Sequence, residues 1–147
     1  MINILIMLVL TTQIMLSGDS DVKTLNDVLE QPLGEHSVLT FDGKETTYSE
    51  IVNTRVCSSR DFVYIKTDSG DTLVMTPDQK VYDPVKKEWI KSGGLNKSAS
   101  LLHVDNVPVL VEDLHTIHDQ MASKVCTLTV TETQCYFANN LLVHNIG

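Results

Sequence analysis

His115 and His118 stand three residues apart with Glu112, Asp113 and Asp119 beside them, a mix of imidazoles and carboxylates that can ligate a metal ion. On a helical turn the two rings would share a face. No third ligand follows at a fixed spacing, so a solvated acidic loop accounts for the group. His36 and His103 are isolated, and surface or hydrogen-bonded histidines account for both. Cys57, Cys126 and Cys135 cannot all pair with one another; an odd count fits a reducing compartment, or leaves one thiol over in an oxidising one. The chain contains no Gly-rich phosphate loop, CxxC pair, HExxH or GxSxG. Neither a metal nor a cofactor is expected.

Charge and length bound the partners. With 11 Lys+Arg against 19 Asp+Glu the net charge is -8, so the basic surface that nonspecific phosphate binding needs is lacking and nucleic acid is not an expected partner. The 147 residues, 42% of them apolar, make one domain that can bury a core without disulfides. Residues 1–10 hold nine apolar side chains, fewer than the roughly 20 that a membrane-spanning helix needs. No Lys or Arg precedes the run and no small-x-small pair follows it, as a signal peptide would require. The reading is a buried extended segment in a cytoplasmic monomer, with a secreted protein as the alternative.

The elements that would position any site are mostly strands. Only residues 20–30 show helical spacing, through Val22, Leu25, Val28 and Leu29, with Pro32-Leu33-Gly34 closing the run. Residues 37–41 and 44–48 flank Asp42-Gly43 as a hairpin, and residues 62–67 and 72–76 flank the turn 68–71 as a second. Further short strands are expected at 80–82, 89–90, 101–104, 107–111, 125–130, 136–137 and 141–143. Many short strands with regular turn signals point to an all-β barrel, sandwich or curved sheet.

The carboxyl end reads Lys124-Val125-Cys126-Thr127-Leu128-Thr129-Val130, then Gln134-Cys135-Tyr136-Phe137-Ala138-Asn139-Asn140, then Leu141-Leu142-Val143-His144-Asn145. This resembles the closing blocks of the Hedgehog/intein (Hint) family: a V-Y-D-L-T-V strand, an F-x-N turn and a strand ending in His-Asn. Gly70-Asp71-Thr72-Leu73-Val74-Met75-Thr76-Pro77-Asp78-Gln79 is similar to the middle block that runs into T-x-x-H, and Glu88-Trp89-Ile90 through Gly94-Leu95 to the segment after it. Leu16-Ser17-Gly18-Asp19-Ser20 looks like the opening block, usually C-L-S-G-D-T. The four blocks stand in order over about residues 15–145.

The resemblance implies a Hint-type all-β horseshoe with two pseudo-twofold related halves. It implies flanking segments at 1–14 and 146–147 and a processing domain at 15–145. The partners implied are host-protein segments in cis, or a split partner in trans. The chemistry implied is self-processing: the side-chain amide of Asn145 attacks its own carbonyl and cuts the chain after itself, assisted by His144. Thr76, Gln79, Thr127 and Gln134 would line the site.

Several positions depart from the family pattern. Met15 stands where the family has its nucleophilic Cys or Ser, and a thioether has no proton to lose. Ser17 could serve only if the junction were shifted; otherwise it is a turn or strand serine. Gln79 and Gln134 replace histidines, so a hydrogen bond survives at each where proton transfer does not. Cys126 is a nucleophile candidate, or a small buried apolar residue one position off the family's late cysteine. Ile146 cannot receive an acyl group, so cleavage rather than ligation is expected. Residues 105–123, where larger inteins carry a homing endonuclease, are too few to hold one. The rival readings are a catalytically silent Hint scaffold and a small secreted β-domain that binds a protein partner.

Overall fold

The structure, a computed structural model, describes residues 7–16, 22–30 and 36–144. Ser17, Asn145 and Ile146, three of the positions singled out above, lie outside the described residues. The domain is all-β. Its strands are β1 (Leu8–Val9), β2 (Gln13–Met15), β3 (Val22–Thr24), β4 (Ser37–Phe41), β5 (Thr46–Thr67) and β6 (Thr72–Met75) in the first part of the chain. They are followed by β7 (Lys80–Asp83), β8 (Glu88–Lys91), β9 (Ser100–Leu102), β10 (Pro108–Val130), β11 (Cys135–Ala138) and β12 (Leu141–His144). One sheet runs β4-β5-β6-β1-β10-β9, a second β11-β12-β7-β8, and β2 pairs with β3. Because β10 also pairs with β5, the strands β5, β6, β1 and β10 close on themselves around the main core.

The expected helix over residues 20–30 is shorter in the structure. Residues 22–24 are extended as β3, and helix α1 spans Leu25–Leu29. The reason is local: the Thr24 hydroxyl accepts from the Asp27 N–H and the Asp27 carboxylate accepts from the Thr24 N–H, a reciprocal cap that fixes where the helix starts. The first hairpin closes through a longer turn than two residues. Asp42 Oδ1 accepts from the N–H groups of Lys44 and Glu45, at 2.9 and 3.0 Å, and Gly43 takes φ +103°, open to glycine at no steric cost. Those backbone bonds lower the Asp42 pKa.

The stretches between the expected strands are themselves strand. β5 and β10 are 22 and 23 residues long and pair antiparallel from Thr67 opposite Val111 to Ile51 opposite Val130. The solvated acidic loop expected around His115 and His118 is therefore part of β10. On a strand, residues three apart point to opposite faces, which separates the two rings. His115 stacks on Tyr64 with centroids 5.9 Å apart, and His118 bonds Asp61. Among the described residues no group of three or more His, Cys, Asp or Glu is placed to hold a metal ion. The ladder shifts register at three places, between Val111 and Asp113, between His118 and Ser123, and between Thr129 and Val130; at the longest of them residues 119–122 bulge out opposite Arg60. Arg60 Nε donates to the Asp119 carbonyl at 2.9 Å.

The start of the domain needs correcting. The boundary expected at residue 15 is not an edge of the fold, because residues 7–14 are built into it. β1 lies between β6 and β10, with Leu8 opposite both Met75 and Cys126. Met7, Leu8, Thr12 and Ile14 are all buried. The extended, buried reading of the apolar run thus holds for its described part. Removing a fully buried leucine side chain costs about 2–5 kcal/mol, so Leu8→Ala is expected to lower the stability measured by urea unfolding by that amount. A flanking segment would give no change.

Candidate functional site

Residues 76–79 form one tight turn: the Gln79 N–H donates to the Thr76 carbonyl at 3.0 Å. The turn is braced from behind by the 3-10 turn Ser92–Gly94. Ser92 Oγ donates to the Thr76 carbonyl at 2.9 Å, its N–H to the Gln79 carbonyl at 2.8 Å, and the Gly93 N–H to the Pro77 carbonyl at 2.9 Å. A Cβ at Gly93 would stand 3.2 Å from the Pro77 carbonyl oxygen, a tight contact that glycine avoids.

This turn holds both ends of the described chain. At one end the Met7 N–H donates to Thr76 Oγ1 at 3.0 Å and the Thr76 N–H to the Met7 carbonyl at 2.9 Å. At the other, Gln79 Nε2 donates to the His144 carbonyl at 2.7 Å. The His144 ring stands edge-on to Trp89, centroids 4.9 Å apart and planes 78° apart. Continuing the β1/β10 register by one step from Leu8 opposite Cys126 sets Met7 opposite Thr127. Thr76, just past the end of β6, and Thr127 on β10 thus stand on either side of Met7.

The candidate residues divide accordingly. Thr76, Gln79 and His144 are brought together by these bonds, and Thr127 is buried on β10. Met15 is not among them: it pairs with Val22 in the two-stranded sheet and packs against the cluster of Leu39, Phe137 and Leu142. The backbone that Thr76 bonds is that of Met7. Gln134 is exposed, with φ +56° in the turn before β11. The sequence signal for Met7 was an apolar run too short for a membrane that continues through buried Thr12 and Ile14 as core strand. The contact of Trp89 with His144 had no local signal, since it joins residues on different strands.

The buried centre of the site is polar. Gln79, Thr127 and Tyr136 are buried, and among the described residues Gln79 Oε1, Thr127 Oγ1 and Tyr136 Oη have no close hydrogen-bond partner. Burial, reinforced by neighbouring Cys126, pushes the Tyr136 phenol above its ordinary range, with the nearby Thr127 hydroxyl opposing weakly. Cys126 is buried, and its Sγ donates to the Thr127 carbonyl at 3.6 Å. Burial pushes its thiol up to about 11, which leaves little thiolate at neutral pH.

No protein-family model matches the chain, and no curated protein matches it either. Solved structures do. A bacterial intein-like domain from Clostridium thermocellum superposes with a TM-score of 0.82 at 19% identity, covering 95% of this chain and 98% of that one. A DnaB intein from Synechocystis sp. PCC 6803 gives 0.82 at 14% over 96% and 99%, and the gp41-1 intein 0.75 at 17% over 95% and 98%. The fold expected from the carboxyl-terminal blocks, a Hint-type all-β fold, is the fold of this chain.

The Cys126 thiol gives a pH prediction. The unfolded thiol, with a pKa near about 8.5, loses its proton before the folded one, so above that pH the unfolded state binds fewer protons and stability falls as pH rises. Urea midpoints are expected to decline between about pH 8.5 and 11, and to decline less in Cys126→Ala.

Proposed function

With the intein fold as premise, we propose that this domain is self-processing and cleaves the peptide bond after Asn145. The single observation that supports this reading is the turn 76–79, which bonds Met7 through Thr76 and His144 through Gln79. One short segment thereby bonds residues near both ends of the described chain, which supports a reading in which the two reacting bonds lie close together.

The step proceeds as follows. Asn145 Nδ2 attacks the carbonyl carbon of its own residue, a new C–N bond closes a succinimide, and the bond to the Ile146 nitrogen breaks. The proton lost by Nδ2 passes to the leaving nitrogen by way of the His144 imidazole, a type of assistance worth about 10²–10⁴-fold. Holding the strand end contributes more, since well-oriented intramolecular reactions gain roughly 7–11 kcal/mol. The Gln79 bond to the His144 carbonyl and the edge contact of Trp89 supply that hold.

At the other end the reading is an impaired step. Met7 has neither hydroxyl nor thiol to attack the preceding carbonyl, Gln79 cannot deliver a proton, and the buried Cys126 is a thiol rather than a thiolate. Ile146 has no group to accept a transferred segment. The partners of the reaction are the flanking host segments in cis, and its outcome is cleavage without ligation.

Intact-mass spectrometry of a chain extended beyond Gly147 tests this. Over days at neutral pH, loss of everything after Asn145 is expected, with the remaining fragment one water lighter than the free acid and no loss in Asn145→Ala. An intact chain overturns the reading and leaves a silent scaffold. Restoring a nucleophile tests the upstream half: Met7→Cys is expected to release the residues before it on treatment with a small thiol. Met15→Cys is expected to release nothing.

A further inference from the structure

The β11-β12-β7-β8 sheet turns aromatic side chains toward an open hollow. Tyr82 and Trp89 stand opposite each other on β7 and β8, and residues opposite each other in an antiparallel pair share a face. Their ring centroids are 5.1 Å apart and their planes tilted by 57°. Phe41, at the end of β4, packs against the same cluster. The three rings line a hollow of about 460 Å³ together with Leu142, Asp42 and Glu132, a volume within the range of ligand pockets, about 300–1,000 Å³. Aromatic residues make up only 5% of the chain, so three around one hollow is a concentration. Trp89 also meets the His144 ring edge-on, which sets the hollow beside the candidate site without making it part of that site.

The rim of the hollow is acidic. Asp42 and Glu132 are exposed, one in the turn between β4 and β5 and the other in the turn between β10 and β11. Among the described residues neither forms an ion pair. Asp42 spends Oδ1 on the N–H groups of Lys44 and Glu45, which leaves Oδ2 for a ligand. Lys44 and Lys87 line the adjoining hollow rather than this one. Ring faces attract a cation through their quadrupole, and carboxylates attract it through charge. A guanidinium uses both, because it is planar, stacks on aromatic rings and presents a fork of N–H donors that matches a carboxylate. We propose that this hollow binds a guanidinium group, carried on an arginine side chain of a peptide partner. The net charge of -8 favours the approach of a basic peptide.

Trp89 is the chain's one tryptophan, so its fluorescence and its indole N–H resonance report on the hollow without a label. Titrating the full chain with acetyl-arginine methylamide is expected to change both signals in a saturable way. The citrulline counterpart has the same shape and no charge. It is expected to bind about 5- to 30-fold more weakly, the scale of a cation–π contact, and added salt is expected to weaken only the arginine probe. Tyr82→Leu removes one ring, and Asp42→Asn with Glu132→Gln removes the rim charge while Asn keeps an oxygen for the turn. Both are expected to weaken binding of the arginine probe, the charge variant with no effect on citrulline. Asp105→Asn with Glu112→Gln removes the same charge from exposed positions elsewhere and is expected to change nothing.

Signals that stay still at every concentration of the arginine probe overturn the assignment. Equal binding of the arginine and citrulline probes overturns it too, and leaves an apolar cleft without charge selectivity. The same weakening in the remote charge variant as in the rim variant also overturns it, since attraction to the whole acidic surface would then suffice. The comparison of the two probes uses the unaltered chain, so the result stands even where a variant fails to fold, which urea unfolding checks. None of these signals depends on cleavage. A failure here leaves the cleavage reading in place, and an uncleaved chain leaves this site in place.

Discussion

The structure depends on a four-residue turn that grips two strands from opposite ends of the chain. Thr76 completes β1 by pairing with Met7, and Gln79 completes β12 by holding the His144 carbonyl. Each bond alone is ordinary, with a net worth of about 0.5–1.5 kcal/mol. Their value is geometric: they originate three residues apart in a turn that is itself braced by Ser92 and Gly93. A shift of that turn would move both chain ends together.

The long strands make the arrangement possible. β5 and β10 run beside each other for most of their length and are each shared between regions of the molecule. Between them and β6 a slot remains that only a narrow, apolar strand can fill, and β1 fills it with Leu8 facing the main core. Met7 faces the other way, onto Phe62 and Val125. The first residues of the domain are thus core residues, while their backbone is part of the site.

Much of this was legible in the sequence, and the failures have physical causes. The carboxyl-terminal strands, with apolar residues at Val125, Leu128, Val130, Leu141 and Val143, gave both element and order, and Thr76, Gln79 and His144 do meet around one turn. The middle of β5 and β10 was not legible. Residues such as Asn53, Arg55, Asp113 and Thr116 are polar on a ribbon much of which faces water, so there was no alternation between a wet and a dry face to read. Met15 lies apart from that turn, and it was singled out for a different reason. A short motif at Leu16-Ser17-Gly18-Asp19 outweighed a run of apolar residues whose role, filling a slot between two distant strands, has no local signature. Gln134 shows the same limit: its spacing from the last strand was right, but a turn with positive φ leaves its side chain exposed.

Folded sequences generally satisfy their interior polar groups, and each exception lowers stability by about 1–3 kcal/mol. Here the exceptions are Gln79 Oε1, Thr127 Oγ1 and Tyr136 Oη, and all three belong to side chains within or beside the two-ended grip. The domain is therefore locally frustrated where it is most deeply buried and at ease elsewhere. A chain drifting free of any chemical task would relieve that tension by the simplest replacements, phenylalanine for the tyrosine and valine for the threonine, each of which removes only what is unsatisfied. The hydroxyls of Thr127 and Tyr136 keep polar atoms inside a core where apolar side chains of the same shape would fit.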